Sequence, residues 1–182
     1  MTSLSYAKLD SSSNVESFSC GNEEHHFKLN RFLKEKALNH HSDFIGTTLL
    51  ASKDEITVGY ITLLTDSIIV RKEEKELREN FFSKVFLRNK YETFPSLKIG
   101  RIAVHEDYQH QGKSNGLKVG TYLFKLSVAI ATKSNDFMGV RFLTVDAKDN
   151  ARDWYINKLN FRVLDQTKPN FLFYDLLGWK NE

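Results

Sequence analysis

LKIGRIAVHEDYQHQGKSNGLKVGTYLFKLSVAIA, residues 97–131, runs three kinds of sequence together. KIGRIAV is short, apolar and rich in β-branched residues, the composition of a strand. The next segment is polar and holds Gly112, Gly116 and Gly120. From there Val119, Leu123, Leu126 and Ile130 recur at helical spacing, predicting a helix to about Lys133. A glycine-bearing loop that runs straight into a helix presents backbone N–H donors and the positive end of the helix dipole. Both favour a phosphate or pyrophosphate. The same loop can equally just turn the chain. It is not a Walker loop, because no Gly-Lys-Ser/Thr follows a Gly at the required spacing, and G-x-G-x-x-G is absent.

Toward the N-terminus, an apolar stretch at residues 6–9 and a serine loop precede FSCGN. There Asn22 is placed to cap a helix with Glu23 and Glu24 in its first turn. Leu29, Phe32, Leu33 and Ala37 give that helix an apolar stripe. FIGTTLLA (44–51) and ITVGYITLLTD (56–66) read as two strands joined by the charged turn Ser52-Lys53-Asp54-Glu55. Residues 72–90 read as another helix, with Leu77, Phe81, Val85 and Phe86 on one face, and Pro95 closes that region. Downstream come a strand RFLTVDA, a short helix over 151–159, and strands around 161–164 and 171–176. The alternation predicts an α/β, more strictly mixed α+β, fold: one central mixed sheet with helices on both faces. No linker divides the chain, so residues 1–182 read as a single domain.

VDAKDNARDWYINKLNF, residues 145–161, is the second informative unit. A strand ends near Asp146-Ala147, and a helix begins at Asp149 or Asn150. Asn150 and Asp153 stand three apart, close to a capping-box spacing. Trp154 and Leu159 can face the core, and Tyr155, one position on, can turn toward a cleft, although a tyrosine in such a place is more often a core residue with its hydroxyl satisfied. Asn160 is suited to the left-handed conformation that ends a helix.

Taken together the two units resemble the GNAT superfamily of N-acetyltransferases. IAVHEDYQHQG is similar to the family's fourth strand and the start of its pyrophosphate loop, GTYLF to the loop end and helix start, and NARDWYINKLNF to its later Tyr-bearing segment. FSCGNEEHHFKLNRFLKEKAL and VGYITLLTDSI resemble the N-terminal half of a branch containing toxin-like members, so the likeness spans about Phe18 to Leu176. It implies a single GNAT-type domain that uses acetyl-CoA. The coenzyme would lie on the strand backbone at Ile102, Ala103 and Val104, and on Gln109, Gln111, Gly112, Gly120, Thr121 and Asn150. Tyr155 would be the acid that protonates the departing thiolate. The implied partner is an amine acceptor, aminoacyl-tRNA in some members of the toxin-like branch; a homodimer is compatible with it. The sequence departs from the family in one place. The family's loop glycines are two apart, whereas Gly112 and Gly120 are eight apart, so KSNGLKV carries extra residues and reads as a surface excursion with Asn115-Gly116 at its tip. A non-catalytic binding module of the same fold is the competing reading, if the insertion spoils the cofactor loop.

Composition narrows the classes. With 41% hydrophobic and 13% aromatic residues, the chain can bury a core. A net charge of +3 without a concentrated basic stripe does not call for nucleic acid, and the acidic-rich run Lys72-Glu73-Glu74-Lys75-Glu76 argues for a smaller amine. One cysteine, Cys20, excludes an internal disulfide, suits a reducing cytoplasm, and has no neighbour to activate it as a nucleophile. No signal peptide is readable and no apolar run approaches the roughly 20 residues of a membrane span, so no membrane partner is expected. No metal is expected either: His25-His26 and His40-His41 are adjacent pairs, which point apart on a helix, without a carboxylate or thiol to complete a ligand set.

Overall fold

The computed structural model describes residues 3–70, 92–109, 117–165 and 167–179. The elements are β1 Ser5–Lys8, α1 Glu24–Arg31, a π-helical turn Phe32–Lys36, α2 Ala37–Ser42, β2 Thr47–Lys53 and β3 Ile56–Ile69. Then follow β4 Thr93–Val104, a 3-10 turn Glu106–Tyr108, α3 Val119–Ser134, β5 Phe142–Asp146, α4 Asp149–Leu159, β6 Arg162–Val163, β7 Phe171–Asp175 and α5 Leu176–Trp179. The strands form a seven-stranded sheet in the order β1-β2-β3-β4-β5-β7-β6. The helix expected over residues 72–90 lies outside the described residues. Among those that are described, no helix is long and apolar enough to cross a membrane.

The chain forms two compact units, Met1–Leu64 with Ile99–Ile130, and Thr65–Lys98 with Ala131–Glu182. In the first, β2 pairs antiparallel with β3, setting Leu50 opposite Tyr60 and Ala51 opposite Gly59. Successive side chains point to opposite faces of a strand. Leu50 and Tyr60 therefore share one face, where they join Phe18, Phe32, Leu33, Ala37 and Ala103 in a core cluster. Gly59 lies on the other face, beneath Val119 and Leu123 of α3. This unit thus carries helices on both sides of its strands. The second unit has its own core, in which Ile68, Val70, Phe94, Phe142, Leu164 and Phe173 cluster. The Phe142 and Phe173 rings meet edge to face at 5.7 Å, as diagonal neighbours across β5 and β7 can.

The stripe Phe32, Leu33, Ala37 is buried as its spacing requires, but by a device that spacing does not show. The Ala37 N–H donates to the Phe32 carbonyl, an i to i+5 bond. That wider turn brings Ala37 back toward the face of Phe32. Two other elements differ from expectation. Phe44 does not open a strand: with φ 58 and 97% exposure it follows the end of α2, and β2 starts at Thr47. Pro95 lies inside β4 instead of preceding it. It stands near the strand's start, where a missing N–H costs little, and its carbonyl accepts from the Arg141 N–H at 2.9 Å.

The β2–β3 hairpin turns on two residues, Asp54 (φ 49) and Glu55 (φ 66). Paired positive φ values make a type I′ turn, which suits the twist of the flanking strands. Glutamate pays for that conformation where glycine would not. Glu55→Gly is expected to raise the urea midpoint, corresponding to about 0.5–1 kcal/mol, with an unchanged slope. A fall would mean that the turn has another geometry.

Candidate active site

In the first unit the site grows from the exit of β4. Ala103 turns its methyl into the core cluster, and alternation sends Ile102 and Val104 to the opposite face, where both are half-buried. Beyond Val104 the chain is pinned twice: the His105 N–H donates to the Val58 carbonyl and the Glu106 N–H to the Ser19 carbonyl, each at 2.9 Å. Gln109 adds a third tie. Its side-chain amide donates to the Cys20 carbonyl at 2.7 Å and to the Val104 carbonyl at 2.9 Å. The glutamine that the sequence offers as a phosphate ligand thus spends its N–H donors bracing the strand exit.

Gln111 and Gly112 lie outside the described residues. The chain is described again from Leu117. The Lys118 carbonyl accepts the first helical bond of α3, from the Tyr122 N–H at 2.9 Å. A helix that starts there leaves the N–H groups of Val119, Gly120 and Thr121 with no intrahelical acceptor. Two of these amides, at Gly120 and Thr121, are ones that the sequence assigns to a phosphate, and the positive dipole end lies with them. The expected surface excursion is corrected at its last residue. Val119 is 1% exposed and packs over Gly59, so the packed fold resumes there.

In the second unit α4 carries Asn150 and Tyr155. Asn150 stands exposed in the first turn, beside Asp149, whose carboxylate accepts from the Asn170 side chain at 2.6 Å. Lys148 occupies the N-cap without a side-chain cap bond, so no capping box forms. The helix ends at Asn160 in the left-handed conformation expected (φ 58, ψ 29). That cap reverses the chain and returns Phe161 onto Tyr155, with ring centroids 5.2 Å apart. Tyr155 is consequently 3% exposed while Trp154 is only half-buried, so of the two orientations open to Tyr155 the structure takes the inward one. Burial pushes the Tyr155 phenol well above its ordinary range.

Cys20 is buried, and burial pushes its thiol up to about 11. A thiol that stays protonated at neutral pH is no nucleophile. The histidine pair at the start of α1 departs from expectation. His25 and His26 hold their ring centroids 3.9 Å apart, and Glu23 brings a carboxylate oxygen 3.4 Å from His25 Nδ1. They sit in the first turn, beside a chain entering at Gly21 with φ 120, where the simple helical rule for neighbours does not hold.

No family model matches the chain, and no curated protein matches its sequence. Solved structures do resemble it. AtaT complexed with acetyl-methionyl-tRNAfMet has a TM-score of 0.78 at 22% identity, covering 98% of each chain. A tyrosine-to-phenylalanine mutant of KacT has a TM-score of 0.77 at 23% identity, covering 100% of this chain and 99% of its own. AtaTR bound with acetyl-CoA has a TM-score of 0.70 at 21% identity, covering 98% of this chain and 96% of that one. Other AtaT structures include a toxin bound to the C-terminus of the antitoxin AtaR. At such identities the likeness speaks for architecture, and the mixed α+β chain with its seven-stranded sheet has the GNAT fold of AtaT and KacT.

Proposed function

We propose that this protein is an acetyl-CoA-dependent N-acetyltransferase whose acceptor is the α-amino group of an aminoacyl-tRNA. The observation that carries the reading is the end-to-end likeness to AtaT, seen with an acetylated methionyl-tRNA and, as AtaTR, with acetyl-CoA. The three amides at the start of α3 and the braced exit of β4 support a coenzyme with a pyrophosphate. In this reading Ile102, Ala103, Val104, Gln111, Gly112, Gly120, Thr121 and Asn150 line the coenzyme, Gln109 holds the strand exit in shape, and residues 1–182 act as one cytoplasmic domain.

The reaction is direct transfer. The neutral amine attacks the thioester carbonyl carbon to form the C–N bond. The C–S bond then breaks, and the sulfur takes a proton from the Tyr155 hydroxyl while the nitrogen loses one to water, from which the tyrosinate regains its own. Holding two reactants in line supplies most of the acceleration, and a positioned acid adds about 10²–10⁴-fold. A phenol held above its ordinary range by burial is protonated at neutral pH, as an acid must be.

A smaller amine is the second acceptor reading, favoured by the modest charge of +3 and the acidic-rich run at residues 72–76. Incubation with acetyl-CoA and either aminoacyl-tRNA or a panel of small amines separates the two. The expected result is N-acetylated aminoacyl-tRNA, formed with an apparent affinity that falls steeply with salt as phosphate contacts require. Coenzyme A release with small amines and none with tRNA would replace the acceptor. No release with either, and no saturable acetyl-CoA binding, would leave a binding module.

A further inference from the structure

We propose that Glu23, His25 and His26, at the start of α1, form a binding site for a divalent transition ion of the zinc type. Each residue offers one ligand atom, and the three atoms lie within 4.8 Å of one another. His25 Nδ1 is 3.4 Å from Glu23 Oε2, and the two imidazoles pack with centroids 3.9 Å apart.

A second observation is independent of the grouping. His26 Nδ1 is buried and has no hydrogen-bond partner among the described residues, although buried polar atoms are ordinarily satisfied. The ring is held where it is by a made-to-measure neighbour. A Cβ at Gly21 would stand 2.6 Å from that nitrogen, and Gly21 itself sits at φ 120, so glycine alone leaves room for the imidazole. Gly21 is fixed in turn, because Asn30 accepts from the Cys20 N–H at 2.9 Å and donates to the Gly21 carbonyl at 3.1 Å.

The ligand chemistry selects the ion. Two imidazole nitrogens and one carboxylate suit zinc, nickel or cobalt, not magnesium or calcium, which prefer all-oxygen sets. Around zinc, bonds of about 2.1 Å place ligand atoms roughly 3.4 Å apart, so the widest pair closes by at most about 1.4 Å. Glu23 is exposed and can swing through that distance. Three protein ligands leave a fourth position for water.

The location gives the ion something to do. Ser19 and Cys20, just before Gly21, are the carbonyls that receive the Glu106 N–H and the Gln109 amide. An ion at the head of α1 would stiffen the segment against which the exit of β4 is braced.

The test uses the full chain, with zinc chloride in calorimetry and cobalt(II) in visible absorption. One zinc per chain is expected, with a cobalt spectrum of low coordination number and a melting temperature raised by zinc. His26→Ala and Glu23→Gln should each weaken zinc binding by about tenfold or more, while His40→Gln leaves it unchanged. Glu23 is exposed, so the glutamine variant keeps the fold even if the alanine variant does not. Zinc affinity unaltered in Glu23→Gln and in His25→Ala, or no saturable binding by about 1 mM zinc, would overturn the site. None of these readouts depends on acetyl transfer.

Discussion

Tyr155→Phe is expected to lower kcat about 100-fold or more while leaving the protein as stable as before and its affinity for acetyl-CoA within about twofold. The substitution removes one oxygen and keeps the ring, which packs edge-on against Trp154 at 5.0 Å and Phe161 at 5.2 Å. An interaction made only in the transition state lowers kcat without changing binding. The pH profile adds a second check. Burial holds the phenol well above its ordinary value, so its acidic form persists as pH rises from 7 to 10. The wild-type kcat should show no falling limb across that range from this group. A loss near pH 10 that disappears in the phenylalanine variant would mean that the hydroxyl is solvated and the buried geometry wrong. Single-turnover mixing with the acceptor, where chemistry is isolated from product release, is the measurement to use. An unchanged rate there would remove Tyr155 from the mechanism.

Much of the fold was legible where one physical demand dominates. Val119, Leu123 and Leu126 are spaced for one face and are buried on it. The two-residue turn at Asp54-Glu55 follows from a strand pair that must reverse within a charged tetrapeptide. Asn160 ends α4 as its type allows. What escaped depends on long-range geometry. The π turn at Phe32–Lys36 exists because the stripe must meet Leu50 and Tyr60 from strands that come later in the chain. Gln109 stands where a phosphate ligand is read, yet its amide is drawn to Cys20, 89 residues away in sequence. Spacing alone leaves Tyr155 free to face the core or a cleft, and the left-handed cap that folds Phe161 back onto Tyr155 decides for the core. The Glu23-His25-His26 grouping was missed for a related reason, since helical spacing describes a helix interior and these residues sit at its entrance.

Gly59→Ala is expected to cost about 2 kcal/mol of stability and to weaken acetyl-CoA binding by about tenfold. Gly59 lies in β3 on the face turned toward α3, opposite Ala51 of β2. A Cβ there would stand 2.8 Å from Val119 Cγ1, 3.0 Å from the Ala103 carbonyl oxygen and 3.1 Å from Leu123 Cδ1. The carbonyl belongs to backbone beside β3 and cannot step aside. Val119 is β-branched and Leu123 fully buried, so neither has a free rotamer to offer. The remaining response is for the first turn of α3 to lift from the strand. That turn carries the amides of Val119, Gly120 and Thr121, so a shift that relieves the clash also misplaces the donors assigned to the coenzyme phosphates. Gly100→Ala is the control. Its new methyl meets the Leu64 side-chain end, a flexible group, and otherwise nothing nearer than the Thr62 carbonyl at 3.6 Å. Leu64 can rotate away, so this variant should lose under about 1 kcal/mol and bind acetyl-CoA normally. Urea unfolding and calorimetry with acetyl-CoA, both on folded protein at one temperature, read the two effects separately. A Gly59→Ala protein that is destabilised but binds acetyl-CoA with wild-type affinity would take the coenzyme away from the start of α3. An undisturbed stability would instead show that α3 does not seat on β3 as described, and only the joint loss ties the packing of one methyl-sized gap to the binding of the coenzyme.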